Sequence, residues 1–259
     1  MKNLKGGNAI FTSPGTPIKC GGAPQKIMYL AADYLRRKGL LDKSNIHLYS
    51  AGTIIFGVPK YAATLQKVVD RYGIKTHFYH ELVEIDGEKK LAWFEVTAPD
   101  GNKSRVEVTF EMIHVVPPQS APDFIKNSPL AMPGNPLGWI DVDKNTLQHT
   151  HYPNIFALGD ATNTPNAKTG AAVRKQAPVL VKNLLAHMKS QKLEGSYSGY
   201  GSCPLVTGYG KLVLAEFGYD NKVMETFPFD QGKERFSMWL LKKYVLPWMY
   251  WNRILSGKA

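Results

Sequence analysis

The first 118 residues alternate between short apolar runs and segments in which apolar side chains recur every three or four positions. The runs at 8–12, 46–50 and 74–79 are typical of strands. The helical period over 24–38 and 61–72 predicts two helices, each followed by a glycine that would end it. Two strand–helix–strand units at this spacing predict a parallel sheet and an α/β fold.

The pattern changes after this α/β region. Residues 91–98 and 105–110 look like two strands on either side of a Pro-Asp-Gly turn, which predicts an antiparallel hairpin. A further short strand is predicted at 112–116 and ends at Pro117-Pro118, where we place a domain boundary. From 119 to 150 the chain is rich in loop-forming residues.

The segment from 154 to 180 combines a strand, a polar loop and a helix. An apolar run at 155–158 predicts a buried strand that ends in Gly-Asp. Small residues after the polar loop would let a flat ligand approach the helix N-terminus, where free backbone N–H groups favour negative charge. The alternative is an ordinary strand–turn–helix in which the aspartate is only a cap. The candidate cofactor-binding residues are Gly159, Asp160, Lys168, Thr169, Gly170 and Ala171.

This segment resembles the second flavin-binding motif of flavoproteins with two dinucleotide-binding domains. The resemblance implies that Asp160 holds the ribitol of FAD and that residues 168–171 line the pyrimidine end of the flavin. It also implies the fold class, an α/β, Rossmann-like flavoprotein of the FAD/NAD(P)-binding type.

Charge and composition narrow the set of partners. The 259-residue chain has a formal net charge of +11, which indicates a polyanionic partner, a membrane surface or an acidic ligand. No tract of basic residues interleaved with aromatics marks a nucleic-acid groove, and no nucleic-acid-binding fold motif is visible, so we expect no nucleic acid partner. No run of roughly 18 or more apolar residues predicts a transmembrane helix. The seven histidines show no metal-ligand spacing, so no metal is predicted.

Two cysteines are too few for a disulfide scaffold or a structural zinc site, and both lie in predicted Gly/Pro-rich loops. Cys20 follows Lys19 and precedes the helix that begins at Pro24, and both neighbours favour the nucleophilic thiolate. Cys203 is far away in the sequence, so spacing cannot show that the two thiols meet. The alternative for each is a small buried apolar residue. Together they suggest a redox dithiol beside an electron acceptor.

Three long motifs make a family resemblance specific. They are SPGTPIKCGGAPQKI around Cys20, SCPLVTGY at Cys203 and ETFPFDQ from Glu225. In this order, and over essentially the whole chain, they resemble the mitochondrial sulfide:quinone oxidoreductases of the animal type. The resemblance implies an FAD enzyme that oxidises hydrogen sulfide through a cysteine pair, at a peripheral, monotopic position on the mitochondrial inner membrane.

The resemblance also implies a role for each thiol. Sulfide would attack the disulfide of the pair, or its sulfur-bridged form, leaving a persulfide on Cys20 while Cys203 attacks the flavin. Two electrons would pass through FAD to ubiquinone, and the sulfane sulfur would go to glutathione or sulfite. Exchange of this kind needs an accessible, low-pKa thiol pair, whereas the organic redox step belongs to the cofactor.

The first strand–helix unit departs from the family pattern. No G-x-G-x-x-G fingerprint stands between its strand and helix, so we expect no NAD(P)H there. A glycine-rich first half does not precede it either, so we expect an N-terminally truncated chain that holds FAD weakly or not at all.

We divide the chain into a second Rossmann-like domain with the first redox cysteine (1–118), the C-terminal part of the FAD-binding domain (119–195), and a region with the second redox cysteine and a tail (196–259).

From Lys233 the tail alternates aromatic and aliphatic side chains with basic ones, and Pro247 is expected to split it into two short pieces. Each piece is too short to cross a bilayer. Each is suited to lie in the membrane–water interface, with its aromatic side chains at the depth of the headgroups and its cations toward anionic lipid. The alternative is an aromatic-rich helix packed on the core with a basic outer face.

Three interpretations of the whole chain follow. The leading one is a sulfide:quinone oxidoreductase. The main alternative is a truncated, non-catalytic relative that acts as a binding or membrane-interaction domain. The third is a pyridine-nucleotide-linked disulfide reductase, against which the absence of a C-x-x-C pair and of the nucleotide fingerprint counts.

Overall fold

Three sheets organise the computed structural model, which describes residues 1–258. In chain order the strands are β1 (Gly7–Ser13), β2 (Ser44–Ser50), β3 (Lys75–His77), β4 (His80–Asp86), β5 (Leu91–Thr97), β6 (Lys103–Thr109), β7 (Met112–His114), β8 (Gly201–Gly208) and β9 (Lys211–Phe217). A four-stranded sheet has the order β3-β2-β1-β7, with every neighbouring pair parallel. This confirms the parallel sheet. Strands β4, β5 and β6 form an antiparallel sheet, and β8 and β9 form a hairpin.

Two of the six α-helices in the described residues, the first and the second, connect strands of the parallel sheet. In chain order the helices are α1 (Ala23–Arg37), α2 (Pro59–Tyr72), α3 (Asp123–Lys126), α4 (Gly170–Met188), α5 (Phe236–Leu240) and α6 (Leu246–Met249). Both α1 and α2 have proline in the first turn, where its missing N–H costs nothing. Helix α2 ends at Gly73, whose φ of 63° lies in the left-handed region that glycine adopts without a Cβ clash. The two helices predicted from the apolar period are confirmed.

The parallel sheet lies between these helices and the antiparallel sheet. Successive side chains of β1 point to opposite faces, so Phe11 packs with α1 and α2 while Ile10 packs with Phe94 of β5. The predicted hairpin is confirmed as β5 and β6. Strand β4 was missed because its acidic side chains hide any apolar alternation and it is only partly buried. Both faces of the parallel sheet are therefore covered.

Residues between β7 and α4 contain little regular structure. The predicted strand at 155–158 is wrong, since only an isolated antiparallel bridge joins Phe156 to Gln148 before a 3₁₀ turn at Gly159–Ala161. An apolar run becomes a strand only when a neighbour continues the ladder, and here the pairing stops after one bridge. The helix predicted after this segment is confirmed as α4. Thr169 caps its N-terminus, because Thr169 Oγ1 accepts a hydrogen bond from the Ala172 N–H over 3.2 Å.

The β8–β9 hairpin belongs to the core of the first region. Leu205 and Val213 are fully buried in the same apolar cluster as Met28 and Leu35 of α1. Gly22, which precedes α1, lies so close to Leu205 that a Cβ on this glycine would overlap the leucine side chain. Residues on both sides of the middle segment therefore share one core. The three-part division of the chain stays a prediction.

The tail is helical over 236–254. A π-helical turn, Leu241–Val245, joins α5 to α6, and a second one, Tyr250–Ile254, follows α6. The predicted split at Pro247 is wrong. Proline stands in the first turn of α6, and the wider hydrogen-bond spacing of the π turn before it accommodates its ring and its missing N–H. Among residues 1–258, no helix combines the length and apolar character needed to cross a membrane.

Candidate functional site

Cys20 sits in the turn between β1 and α1, in a conformation that most residues avoid. Its φ of 66° lies in the left-handed region, which costs a residue with a Cβ about 1 kcal/mol or more. The turn is held from both sides. The Cys20 N–H donates to the Lys168 carbonyl over 2.7 Å, and the Cys20 carbonyl accepts from the Ala23 N–H over 2.8 Å. These bonds fix the half-buried thiol at the N-terminal end of α1.

Cys203 lies on β8, so its predicted place in a loop is wrong. It pairs with Ala215 of β9 and is 1% exposed. The nearby glycines and proline suggested a loop, but Cys203 and Leu205 occupy alternate positions that face the core shared with α1. This packing brings Cys203 to Cys20, a meeting that sequence spacing could not reveal.

The two thiols are free in this structure, and Cys20 packs against the apolar cluster that contains Cys203. Lys26, one turn into α1, donates from Nζ to Cys20 Sγ over 2.9 Å. The hydrogen bond from Cys203, aided by Lys26 and the Gly22 N–H and opposed by burial, lowers the pKa of Cys20 to about 5. The same hydrogen bond, followed by burial, raises the pKa of Cys203 well above its ordinary value. At neutral pH the pair is therefore one thiolate and one thiol.

The tail contributes a second cation, which the sequence analysis missed. Lys242, in the π turn after α5, is half-buried and lies within Coulombic range of Lys26 and of both thiols. Burial and then Lys26 lower the pKa of Lys242, whereas Cys20 and Cys203 raise it. No sequence signal distinguishes it from its neighbour Lys243, because both belong to one basic tail and only folding separates their surroundings.

The residues predicted to hold FAD lie along one edge of the middle segment. Gly159 has a φ of 77°, and its N–H donates to the buried Gln176 Oε1 over 2.9 Å. Asp160 is half-buried, and its carboxylate accepts no hydrogen bond from the part of the chain that the structure describes. A Cβ on Gly170, where α4 begins, would meet no atom within 4 Å. A carboxylate acceptor beside an open helix N-terminus fits the polyol and the pyrimidine end of FAD. These cofactor roles remain predictions.

Lys168 connects this edge to the redox turn. Its side chain is buried, with Nζ donating to the Thr162 carbonyl over 2.6 Å and lying 4.3 Å from the Trp139 ring centre. Burial lowers the pKa of Lys168 to about 8, against the raising effect of Asp160. Its backbone carbonyl holds Cys20, as described above. Ala171, one turn further on, is half-buried against the cluster around Tyr197.

This arrangement defines a class of redox protein, in which a parallel α/β sheet carries one thiol in its first turn and a later strand brings a second thiol against it. The chain belongs to the pyridine nucleotide-disulphide oxidoreductase family, whose sequence model matches residues 32–181. The Rossmann-like α/β fold class expected from the sequence is confirmed.

The curated relatives are more specific, because they are mitochondrial sulfide:quinone oxidoreductases. The Dictyostelium discoideum protein is 50% identical over 259 residues and the Mus musculus protein is 48% identical over 257 residues. The Schizosaccharomyces pombe protein is 40% identical over 266 residues. The first two alignments cover 100% and 99% of this chain and 56% of each relative. The chain therefore spans about half the length of the curated relatives it matches.

Solved structures agree at the level of the fold. A chain in the mitochondrial ATP synthase assembly of Tetrahymena thermophila has a TM-score of 0.78 at 23% identity, with 95% of this chain and 60% of that chain covered. The sulfide:quinone oxidoreductase of Aquifex aeolicus has a TM-score of 0.67 at 15% identity, with 97% of this chain and 59% of that chain covered. At these identities the likeness establishes the fold alone.

The family name implies a pyridine nucleotide, which in this fold binds at the carboxyl ends of the first strands. A crevice of about 240 Å³ lies there, with Ser13, Gly21 and Ser50 in its lining. The turn after β1 carries the strained Cys20 in place of a glycine fingerprint, and Ser50 ends β2 where an acidic residue would hold the ribose. These residues do not fit a pyridine nucleotide.

Alkylation of the reduced protein tests the charge state of Cys20. Because the thiolate is the reactive form, the rate of labelling by iodoacetamide should rise with pH and be half-maximal at about pH 5. Lys26→Gln removes the neighbouring cation and should move this midpoint upward. Lys38→Gln, at the far end of α1, is the matched control and should leave it unchanged. A midpoint at the ordinary thiol pKa of about 8.5 in the unaltered protein would contradict the thiolate.

Proposed function

We propose that this chain carries the redox thiol pair of a sulfide:quinone oxidoreductase, the activity for which its curated relatives are named. The observation that carries the proposal is the contact between Cys20 and Cys203 beside the backbone of Lys168. A low-pKa thiol beside a second thiol has the chemistry that reversible disulfide exchange requires.

FAD, when bound, supplies an acceptor of two electrons that can pass them on to a quinone. Asp160 would accept hydrogen bonds from its ribitol, and the first N–H groups of α4 would face its pyrimidine end. The Lys168 side chain would add positive charge at the same edge. Because the Cys20 N–H is bonded to the Lys168 carbonyl, the first thiol is kept beside that edge. The thiol pair would then lie between the sulfide and the cofactor.

The proposed cycle starts from the disulfide form of the pair. Hydrosulfide attacks one sulfur, the S–S bond breaks, one cysteine becomes a persulfide and the other leaves as a thiolate. Lys26, whose Nζ donates to Cys20 Sγ, stabilises a thiolate at that position by Coulombic attraction. Transfer of the outer sulfur to glutathione or sulfite returns the persulfide cysteine to a thiol. Re-formation of the disulfide then releases the two electrons and completes the cycle.

The thiol pKa values support a definite role for each cysteine. In disulfide exchange the sulfur of lower pKa leaves more readily, which favours Cys20 as the leaving thiolate and Cys203 as the carrier of the persulfide. The ammonium of Lys26 at 2.9 Å from Cys20 Sγ would further stabilise the departing charge. Our proposal therefore exchanges the two roles that the family resemblance implies, which placed the persulfide on Cys20.

We further propose that the tail docks at a membrane surface, in a peripheral, monotopic position on the mitochondrial inner membrane, where it would meet ubiquinone. Five large aromatic side chains of the tail are exposed, Phe236, Tyr244, Trp248, Tyr250 and Trp251. Exposed aromatics suit the headgroup region, and the lysines among them suit anionic lipid. Trp251 is 70% exposed, which counts against the alternative of a tail packed wholly on the core.

Flavin absorbance tests the proposed activity. With FAD supplied in excess, which populates even a weak site, sulfide should bleach the oxidised flavin bands and a soluble ubiquinone should restore them. Cys20→Ser and Cys203→Ser should each abolish the bleaching, because neither variant can form the disulfide. A folded protein on which FAD shows no binding in equilibrium dialysis would favour the alternative of a non-catalytic binding or membrane-interaction domain.

Trapping the persulfide tests the assignment of roles. After one equivalent of sulfide is added to the oxidised protein, alkylation and mass spectrometry should place the additional sulfur on the peptide of Cys203 and leave Cys20 singly alkylated. Cys203 keeps the additional sulfur because Cys20, the thiol of lower pKa, is the leaving group when the disulfide is cleaved. An additional sulfur on Cys20 would restore the roles implied by the resemblance without affecting the proposed activity.

Binding to liposomes tests the tail. Binding to cardiolipin-containing vesicles should fall when residues 236–259 are deleted and also in the pair of substitutions Trp248→Ser and Trp251→Ser, since exposed rings supply the interfacial contact. Phe124→Ser is the control, because this ring is 77% exposed but lies outside the tail. If the deletion and the double tryptophan variant both sediment with vesicles as the unaltered protein does, the tail is excluded as the anchor.

A further inference from the structure

We propose that the C-terminal end of α1 and the β8–β9 turn bind the phosphodiester headgroup of an anionic lipid. Arg36, Arg37 and Tyr209 form this site, which we call the arginine–turn site. Phe236, the first residue of α5, joins it to the tail. The inference rests on the proposed docking of the tail at a membrane, and it adds a site of headgroup recognition to that docking.

A buried carboxylate holds both arginines in place. Asp33 is 3% exposed, and its Oδ1 accepts hydrogen bonds from Nε and Nη2 of Arg36 over 3.0 and 2.8 Å. Its Oδ2 accepts from Arg37 Nε over 3.2 Å and from the Tyr209 N–H over 2.9 Å. One carboxylate therefore ties the end of α1 to the β8–β9 turn and fixes two guanidinium groups at the surface.

Each guanidinium group keeps donors for a ligand. A guanidinium has five N–H groups. Arg36 uses Nε and Nη2 on Asp33, whereas Arg37 uses Nε on Asp33 and Nη2 on the Tyr209 carbonyl over 3.3 Å. The two side chains are 55% and 52% exposed, so their remaining N–H groups are accessible from solvent. A planar donor set that is fixed before binding matches phosphate oxygens and loses little entropy on binding them.

The arginine–turn site has a net positive charge. Asp33 offsets only one of the two guanidinium charges, and the exposed Lys211 at the start of β9 adds another cation. Glu234, which lies just before the tail, is paired with Arg71 through two hydrogen bonds of 2.6 and 2.8 Å. Its charge is therefore already compensated. A cationic surface of this kind is attracted to anionic lipid.

Exposed aromatic rings connect the site to the tail. Arg37 Cζ lies 4.8 Å from the centre of the exposed Tyr209 ring. The exposed Phe236 lies over the turn, since a Cβ on Gly210 would be 3.4 Å from its ring. Phe236 also stacks on Trp239, with ring centres 5.7 Å apart. Aromatic rings of this kind sit at the depth of the headgroups, where the guanidinium groups would meet phosphate.

The position of the site favours a lipid headgroup over a soluble phosphate compound. The side chains that form it are exposed, so a free anion would keep much of its water and bind weakly. A bilayer that is already bound by the tail presents many headgroups close to the arginines. Binding at the second position then occurs at a high effective concentration, which strengthens the attachment as a whole.

Sedimentation with vesicles tests the site. The variant Asp33→Asn, Arg36→Gln, Arg37→Gln removes both guanidinium groups without leaving a buried carboxylate that has lost its cations. Its affinity for phosphatidylcholine vesicles that contain cardiolipin should fall about tenfold, because each cation near an anionic surface strengthens binding. Its binding to vesicles of phosphatidylcholine alone should not change, since the aromatic side chains of the tail are intact. Circular dichroism checks that the variant is folded.

A matched variant separates the site from the effect of net charge. Glu95→Gln, Lys103→Gln and Arg105→Gln change the net charge by the same amount on the antiparallel sheet, which the parallel sheet separates from α1. This variant should bind cardiolipin-containing vesicles as the unaltered protein does. An equal loss of affinity in both variants would reduce the effect to net charge and overturn the site.

Arginine modification tests the site in the unaltered chain. Cardiolipin-containing vesicles should protect Arg36 and Arg37 from phenylglyoxal while Arg105 continues to react, as measured by mass spectrometry of the peptides. Inorganic phosphate, compared with chloride at equal ionic strength, should not protect them. Protection by phosphate would assign the site to a soluble anion and overturn the lipid ligand.

The same measurement separates this inference from the proposed docking of the tail. If the protein sediments with vesicles while Arg36 and Arg37 stay fully reactive, the arginine–turn site is overturned and the docking of the tail stands. If the unaltered chain binds no vesicle of either composition, both are overturned.

Discussion

The packing of β8 against the N-terminal end of α1 is the constraint on which the rest of the site depends. Leu205 fills the space beside Gly22, and a side chain at that glycine would leave no room for the leucine. Only this approach carries Cys203 to the turn that holds Cys20. Because β9 continues the same hairpin and packs against the tail, one contact positions both the second thiol and the tail.

The electrostatics of the site follow from this packing. The close thiols interact with each other, which lowers the pKa of Cys20 and raises that of Cys203. Burial makes an isolated thiolate costly, and the ammonium group of Lys26 offsets that cost. The thiol pair therefore carries a negative charge only while it is reduced, because the disulfide is neutral.

Local patterns predicted much of the fold, and the errors share one cause. The helices, the parallel sheet and the β5–β6 hairpin follow from apolar periodicity and turn residues, which act over a few positions. The strand expected at 155–158, the loop around Cys203 and the break at Pro247 all depended on neighbours that the local sequence does not contain. The first depended on a missing ladder partner, the second on the core shared with α1, and the third on the π turn before Pro247.

The sequence by itself determined the class of this protein, since its motifs predict a flavin-type edge at Asp160 and contain two thiols of unusual context. It also predicted the preference of Cys20 for the thiolate, but from Lys19 and the helix N-terminus, whereas in the structure Cys203 and then Lys26 lower the pKa of Cys20. Only the tertiary structure decided that Cys20 meets Cys203 and that the Lys168 carbonyl holds the Cys20 N–H. Those contacts link positions far apart in the chain, and their geometry is set by the packing of the shared core rather than by any spacing in the sequence.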